Sequence, residues 1–212
     1  MARSRTVIIP IGSNEQHGPT GLLGTDWLCP EIIAHEAQKA ADVLVGPTFN
    51  IGMAQHHLGF PGTISLRPST FIAAIGDWVR SLARHGFERI YFLNGHGGNI
   101  ATVQAAFSEL YAEASFAGEA RGFALKLQSW WDLEGIAALV QRHFPTGHGS
   151  HATPPEIAIT QWAYPRRSSR STTRRMSHRR VPFARLRISG CGFPTVGWDQ
   201  LRDRLLRQSV GS

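Results

Sequence analysis

Four short glycine-containing segments hold most of the residues of this chain that could do chemistry. They are GSNEQHG at residues 12–18 with Thr25-Asp26, GFPGT at 59–63, NGHGGN at 94–99 and GSHATPPE at 149–156. Together they supply three carboxylates and three imidazoles from turns that lie far apart in the sequence. Metal sites on α/β sheets are built from such scattered turn residues, because loops present ligand groups that a core face cannot. The set therefore favours a metal-dependent hydrolase.

The first segment places two types of metal ligand one residue apart. Glu15 and His17 would point to the same side of an extended or turning segment, so both can reach one metal ion or a close pair. Asp26 is expected in the same loop, where its carboxylate could bridge two divalent ions. The alternative is that Glu15 and His17 are loop residues paired with each other, and the sequence leaves both interpretations open.

The NGHGGN segment lies between a predicted strand and a predicted helix, with His96 at its centre. Its glycines would let the backbone approach a ligand, and the N-terminus of a helix favours anions. A phosphate-binding loop is the alternative. The lysine of a P-loop and the spacing of a dinucleotide fingerprint are both missing, so a metal ligand fits His96 better.

The last segment carries two candidate catalytic residues, His151 and Glu156. Thr153 and Glu156 have the spacing of a capping box, with Pro154 at the first helical position, which is a purely structural explanation for Glu156. His151 has no such explanation, and it could act as a general acid or base that protonates a leaving nitrogen.

Three further residues could bind a substrate. His57 follows His56 and precedes the GFPGT segment, which could form a substrate-side loop or an ordinary exposed turn. Trp130 and Trp131 follow a predicted strand and could wall a pocket, although aromatic packing in the core is the more common role of such residues.

Strand-like and helix-like patterns alternate along the chain. Apolar runs predict strands at 6–11, 42–45, 89–93 and 122–129, and helical spacing predicts helices at 30–41, 69–84 (with Ser69 as N-cap), 99–114, 132–140 and 154–163. This alternation predicts a three-layer α/β/α fold with a mostly parallel central sheet. Glu15, His17 and His96 all follow predicted strands directly, and ligands of such folds bind at the carboxyl ends of the strands.

The charge of the chain is uneven. The formal net charge is +7 over 212 residues, but residues 166–212 contain twelve arginines, no lysine and only two aspartates. The segment before residue 166 is acidic overall, so the domain itself is not expected to bind nucleic acid. Two distant cysteines, the lack of a secretory leader and the lack of a long apolar stretch predict a cytoplasmic protein that does not enter a membrane.

Several of these segments, in this order, resemble the creatininase (creatinine amidohydrolase) family. The similar segments are residues 10–19, Thr25-Asp26, HLGFPGTISL at 57–66, NGHGGN at 94–99 and SHATPPE at 150–156. They lie within residues 7 to about 165. The resemblance implies an α/β/α layered fold, two divalent metal ions (zinc, manganese or iron), hydrolysis of a C–N bond in a small-molecule amide, a formamide or a peptide, and homo-oligomers that are often hexamers.

The resemblance also implies roles for individual residues. Glu15, His17, Asp26 and His96 match metal ligands of the family, with Asp26 as the bridging ligand. Creatininase proper has a further glutamate ligand two residues after the histidine of the third motif, where this chain has Gly98. Glu156 is then the candidate for the missing ligand, and the departure argues against creatinine itself as the substrate.

Residues 1–165 are therefore predicted to form a creatininase-like metal hydrolase domain, followed by an atypical arginine-rich segment at 166–212. That segment is interpreted either as a disordered basic arm or as a stretch translated out of frame, for which the excess of arginine over lysine is typical of a GC-rich gene. The basic arm supports an alternative function, in which the chain binds metal or nucleic acid without catalysis.

Overall fold

A four-stranded parallel sheet forms the centre of the computed structural model, which describes residues 5–41, 43–120, 122–147 and 149–165. The strands are β1 (Thr6–Ile11), β2 (Leu44–Val45), β3 (Arg89–Asn94) and β4 (Ala124–Ser129), in the spatial order β2-β1-β3-β4. The central strands β1 and β3 pair along their whole length, from Thr6 opposite Arg89 to Ile11 opposite Asn94. Their carboxyl ends therefore meet at one edge of the sheet, directly before the first and third polar segments.

Within the described residues, five α-helices surround the sheet, and their bounds differ in places from those predicted. They are α1 (Thr25–Ala40), α2 (Pro68–Arg84), α3 (Ile100–Ala117), α4 (Ile136–His143) and α5 (Pro154–Ala163). Two of these differences concern residues that were assigned a specific position. Asp26 lies in the first turn of α1 and not in a loop, and the N-cap of α2 is Arg67 and not Ser69, because Pro68 occupies the first helical position.

Alternate residues of the central strands face two separate cores. On one side of the sheet, Ile9 and Phe92 pack with α2 and α3 through residues such as Ile75 and Val103. On the other side, Ile8 and Leu93 pack with α1, and α5 packs against α1. Helices on both faces of a parallel sheet confirm the predicted three-layer α/β/α fold.

The first turn of α1 lies directly against the ends of β1 and β3. A β-carbon added to Gly12 or to Gly95 would overlap the backbone carbonyl of Asp26. Glycine at both positions therefore lets the helix approach closely enough to bring Asp26 to the edge of the sheet.

Within the described residues, no helix is long and apolar enough to cross a membrane. The basic segment at 166–212, and with it the prediction of a disordered or out-of-frame tail, lies outside the described residues.

Candidate metal centre

The structure brings together all five residues that were predicted to bind metal. Glu15 and His17 follow β1, Asp26 is in the first turn of α1, His96 follows β3 and Glu156 is in the first turn of α5. Each of these five residues is at least nine-tenths buried in the folded chain. Burial of three carboxylates in one place is costly unless positive charge compensates them.

Asp26 occupies the centre of this cluster and faces two histidines with its two oxygens. Its Oδ1 lies 3.2 Å from His17 Nε2, and its Oδ2 lies 3.2 Å from His96 Nδ1. A carboxylate that offers one oxygen to each of two imidazoles has the arrangement expected of a ligand shared between two ions.

Two groups of ligand atoms therefore lie on either side of Asp26. In the first group, His96 Nδ1 is 3.0 Å from Glu15 Oε2. In the second group, His17 Nε2 is 3.7 Å from Glu156 Oε2, and the ligand atoms of His17, Asp26 and Glu156 all lie within 4.8 Å of one another. Three ligand atoms at this spacing can converge on one ion.

Backbone carbonyls fix the orientation of both imidazoles. The Nδ1 of His17 hydrogen-bonds the carbonyl of Glu15 at 3.1 Å, and the Nε2 of His96 hydrogen-bonds the carbonyl of Met53 at 2.8 Å. In each ring the proton is thereby held on the nitrogen that faces away from Asp26. The other nitrogen is left as a lone-pair donor directed into the cluster, which is the arrangement seen for histidines that bind metal.

Several buried polar atoms of the cluster have no hydrogen-bond partner among the residues that the structure describes. They include Glu15 Oε1, His17 Nε2 and Asp26 Oδ2. Unpaired polar atoms at such depth are rare, because each costs about 1–3 kcal/mol. Nitrogen and carboxylate oxygen are also the donor set that zinc and similar divalent ions accept, so these residues fit a metal site.

The pKa values of the metal-free cluster also indicate that positive charge is needed among its carboxylates. Burial lowers the pKa of His17, but the nearby carboxylates of Asp26 and Glu156 outweigh burial and raise it to about 9. Burial raises the pKa of Asp26, but the nearby imidazoles of His17 and His96 outweigh burial and lower it. A proton on His17 then provides the positive charge that a metal ion would otherwise supply.

Glu156 both caps α5 and faces the cluster, which are the two roles that the sequence left open. One of its oxygens accepts a hydrogen bond from the backbone N–H of Thr153 and completes the predicted capping box of α5. The other oxygen faces His17. The cap thus holds the side chain in position toward the cluster.

Gly98 cannot be exchanged for a side-chain ligand without a local rearrangement. A β-carbon at this position would lie 2.5 Å from His96 Nε2 and 2.6 Å from the Met53 carbonyl oxygen, the two atoms of the hydrogen bond that orients His96. A glutamate at position 98 would therefore disturb the hydrogen bond that orients His96. Glu156 reaches the cluster from α5 instead.

His151 and His57 lie at the edge of the cluster. The His151 ring packs against the rings of His17 and His57 with centroids 4.5 Å away, and its Nδ1 is 3.7 Å from Glu15 Oε2. Gln16 Oε1 accepts a hydrogen bond from the N–H of Gly18, and Gln16 Nε2 lies 3.2 Å from His151 Nε2. The other ring nitrogen of His151, Nδ1, faces the cluster. Burial, followed by the charge of His17, lowers the pKa of His151.

A cavity of about 580 Å³ opens onto the cluster. Trp130 and Trp131 both line it, and the apolar side of α4 provides Ile136, Val140 and Phe144. Trp130 is also part of the core beside Leu93, so it both lines the cavity and packs in the core. The volume of the cavity is typical of a small-molecule site.

The structure adds residues that the sequence patterns did not single out as ligands. His56 Nε2 lies 3.1 Å from Glu15 Oε1, and Gln16 contacts His151. Both are sequence neighbours of predicted site residues, and this proximity was the one feature of the sequence that could have indicated them. The Met53 carbonyl could not have been found, because a backbone group has no sequence signature.

Residues 1–198 match the sequence model of the creatininase family, described as creatinine amidohydrolase. The chain belongs to the creatininase family. The match extends beyond residue 165, at which the shared motifs described above end.

Curated relatives of this creatininase-family chain have different substrates. It is 31% identical over 146 residues to a creatinine amidohydrolase of Pseudomonas putida, covering 66% of this chain and 56% of the relative. It is 36% identical over 118 residues to a mycofactocin precursor peptide peptidase of Mycolicibacterium smegmatis, covering 53% and 47% of the two chains. The chain thus spans about half the length of the curated relatives it matches.

A solved structure supports the same assignment. A mutant creatininase of the Zn-Zn type is 29% identical and superimposes with a TM-score of 0.68, covering 76% of this creatininase-family chain and 65% of that chain.

Proposed function

We propose that this chain is a divalent-metal-dependent amidohydrolase that cleaves a C–N bond with water. The observation that carries the proposal is the position of Asp26, whose two oxygens each lie 3.2 Å from the free nitrogen of a differently anchored histidine. Glu15 and His96 would hold one ion and His17 and Glu156 the other, with Asp26 shared between them. Membership of the creatininase family and the likeness to a Zn-Zn creatininase support zinc as the first ion to test.

The chemistry divides between the ions and the residues of the chain. When bound, two divalent ions lower the pKa of water and draw electron density from the amide carbonyl. His151 Nδ1 faces the cluster, and its lowered pKa leaves the ring neutral near pH 7 and able to accept a proton. The ring then passes this proton to the departing nitrogen, while Gln16 holds Nε2. The products are a carboxylate and an amine.

The cavity indicates which amides to test. Among the described residues that line it there is no lysine or arginine, so an acidic substrate group would meet no cationic side chain. Trp131, Val140 and Phe144 offer apolar contact instead. We therefore favour a neutral amide, formamide or peptide with an apolar group next to the scissile bond, bound against Trp130 and Trp131 with His57 at the opposite edge.

Replacement of His151 by glutamine tests the proposed proton transfer. Glutamine has no titratable group, so we expect turnover of an amide found by screening to fall about 10²- to 10⁴-fold. Zinc content should stay the same, because His151 is not among the proposed ligands. The matched control is His143→Gln, an exposed histidine at the end of α4. Unchanged turnover in His151→Gln would contradict the role of this residue.

Zinc affinity is expected to increase with pH. In the metal-free protein the charged form of His17 contributes stability that is complete below pH 6.5 and is lost as the pH rises through about 9. Zinc must displace this proton, so its affinity should rise about tenfold per pH unit between these limits. Competition with a chelator calibrated at each pH measures the slope. An affinity independent of pH would show that no proton is displaced.

A homo-oligomer in the cytoplasm is part of the same proposal. Leu58, Phe60 and Ile64 lie between β2 and α2 and are each about half exposed, which suits a contact with a second copy. The free thiol of Cys29 is buried within the domain and agrees with a reducing compartment.

A further inference from the structure

His56 lies where it could complete the first ion position. It belongs to the short 3₁₀ turn at Gln55–His57, and its side chain is 49% exposed, unlike those of the five buried residues. Its Nε2 is 3.1 Å from Glu15 Oε1, while the other oxygen of Glu15 faces His96. Glu15 therefore faces imidazoles with both of its oxygens, as Asp26 does.

The rings of His56 and His96 are stacked almost parallel. Their centroids are 5.7 Å apart and their planes differ by 6°. The ligand atoms offered by Glu15, His56 and His96 all lie within 4.8 Å of one another, so one ion could contact all three. Glu15 Oε1, which faces both His56 Nε2 and His57 Nδ1, is buried and has no hydrogen-bond partner within the described part of the chain. An unpaired carboxylate oxygen at this depth is a separate indication that a cation belongs between them.

Glu15, Asp26 and His96 provide three ligands for this ion, which leaves a tetrahedral ion one position short. We infer that His56 Nε2 is a fourth protein ligand at this position. The inference rests on the proposed function, because it assumes that the cluster binds metal. His57 also contacts Glu15, but it belongs to none of the three-residue ligand groups found among the described residues.

A fourth ligand changes what the first ion position can do. Zinc sites with four protein ligands are closed, whereas catalytic sites keep one position for water or substrate. His56 is half exposed on a short turn, so a substrate that enters the cavity could take its place without disturbing the buried ligands. In the absence of substrate, His56 would occupy the fourth position on the ion. It would leave that position only when substrate binds.

The test compares His56→Phe with His57→Phe in the full chain. Phenylalanine retains a planar ring beside His96 and removes only the ligand nitrogen. We expect His56→Phe to weaken the binding of one of the two zinc ions by more than about 100-fold. Loss of a residue that only orients a metal ligand typically costs about 10- to 100-fold. His57 also contacts Glu15 Oε1, so we expect His57→Phe to weaken zinc binding, but clearly less than His56→Phe does. Chelator competition measures both affinities.

Cobalt provides a second measurement that does not depend on activity. Four-coordinate Co²⁺ absorbs visible light strongly, and replacement of a histidine by water should weaken and shift the bands in His56→Phe. An unchanged affinity with an unchanged cobalt spectrum would overturn the inference. Equal losses in both variants would also overturn it, because they would assign the effect to packing of the turn. A wild-type chain that binds neither zinc nor cobalt would instead contradict the proposed function itself.

Discussion

Replacement of Asp26 by alanine is expected to remove both metal ions from the protein. The side chain offers one oxygen to the group around His96 and the other to the group around His17, so its loss leaves each group one ligand short. It also leaves His17 with a single carboxylate neighbour, Glu156, in a buried position. Mass spectrometry of the purified, zinc-loaded protein should show about two ions per wild-type chain and close to none in the variant.

Two further variants separate this result from a general loss of structure. Asp77→Asn removes an exposed aspartate on α2 and should bind zinc as the wild type does. Glu156→Gln keeps a residue that can complete the capping box of α5 but removes one charged ligand, so it should retain one ion and lose the other. Retention of both ions by Asp26→Ala would mean that the two groups of ligands are independent, and the shared-ligand arrangement would be wrong.

The sequence predicted that the candidate ligand residues would lie together, because each belongs to a short segment next to a strong secondary-structure signal. The apolar runs of β1 and β3 are easily recognised, and the turns that follow them had to meet at one edge if the strands are parallel neighbours. Glu15, His17 and His96 were placed correctly by this argument alone. Asp26 was proposed as a bridging ligand from its expected place in the first loop, and the resemblance to a known family gave Glu156 the role of a ligand. The positions of both residues, on α1 and α5, depend on how helices pack against the sheet.

What the sequence did not show depends on contacts between distant segments. The start of α1 was predicted near residue 30 from apolar residues at helical spacing, whereas the helix begins at Thr25. The Met53 carbonyl orients His96 from 43 residues away. His56 was treated as a neighbour of His57, since no local pattern records that a short 3₁₀ turn will bring it to Glu15. Such features follow from packing, which hydrophobic periodicity does not encode.

Gly95→Ala should have the largest effect on the fold, and it acts through the same contact that positions Asp26. The new β-carbon would overlap the backbone carbonyl of Asp26 and lie 2.6 Å from Pro30 Cδ. The strand end and the helix are both held by the surrounding cores, so neither can move away cheaply. We expect a loss of about 3 kcal/mol or more in the free energy of unfolding. The zinc content should fall with it, because the first turn of α1 carries Asp26.

Gly97→Ala provides a control within the same loop. A β-carbon at Gly97 meets no atom within 4 Å, so this variant should differ from the wild type by no more than about 0.5 kcal/mol. Urea denaturation of the three proteins, followed by zinc analysis of the folded fractions, compares them directly. If Gly95→Ala is as stable as Gly97→Ala, the helix can yield, and the close approach of α1 is not what fixes Asp26. If stability falls but zinc binding persists in the folded fraction, the ligands are positioned independently of this contact.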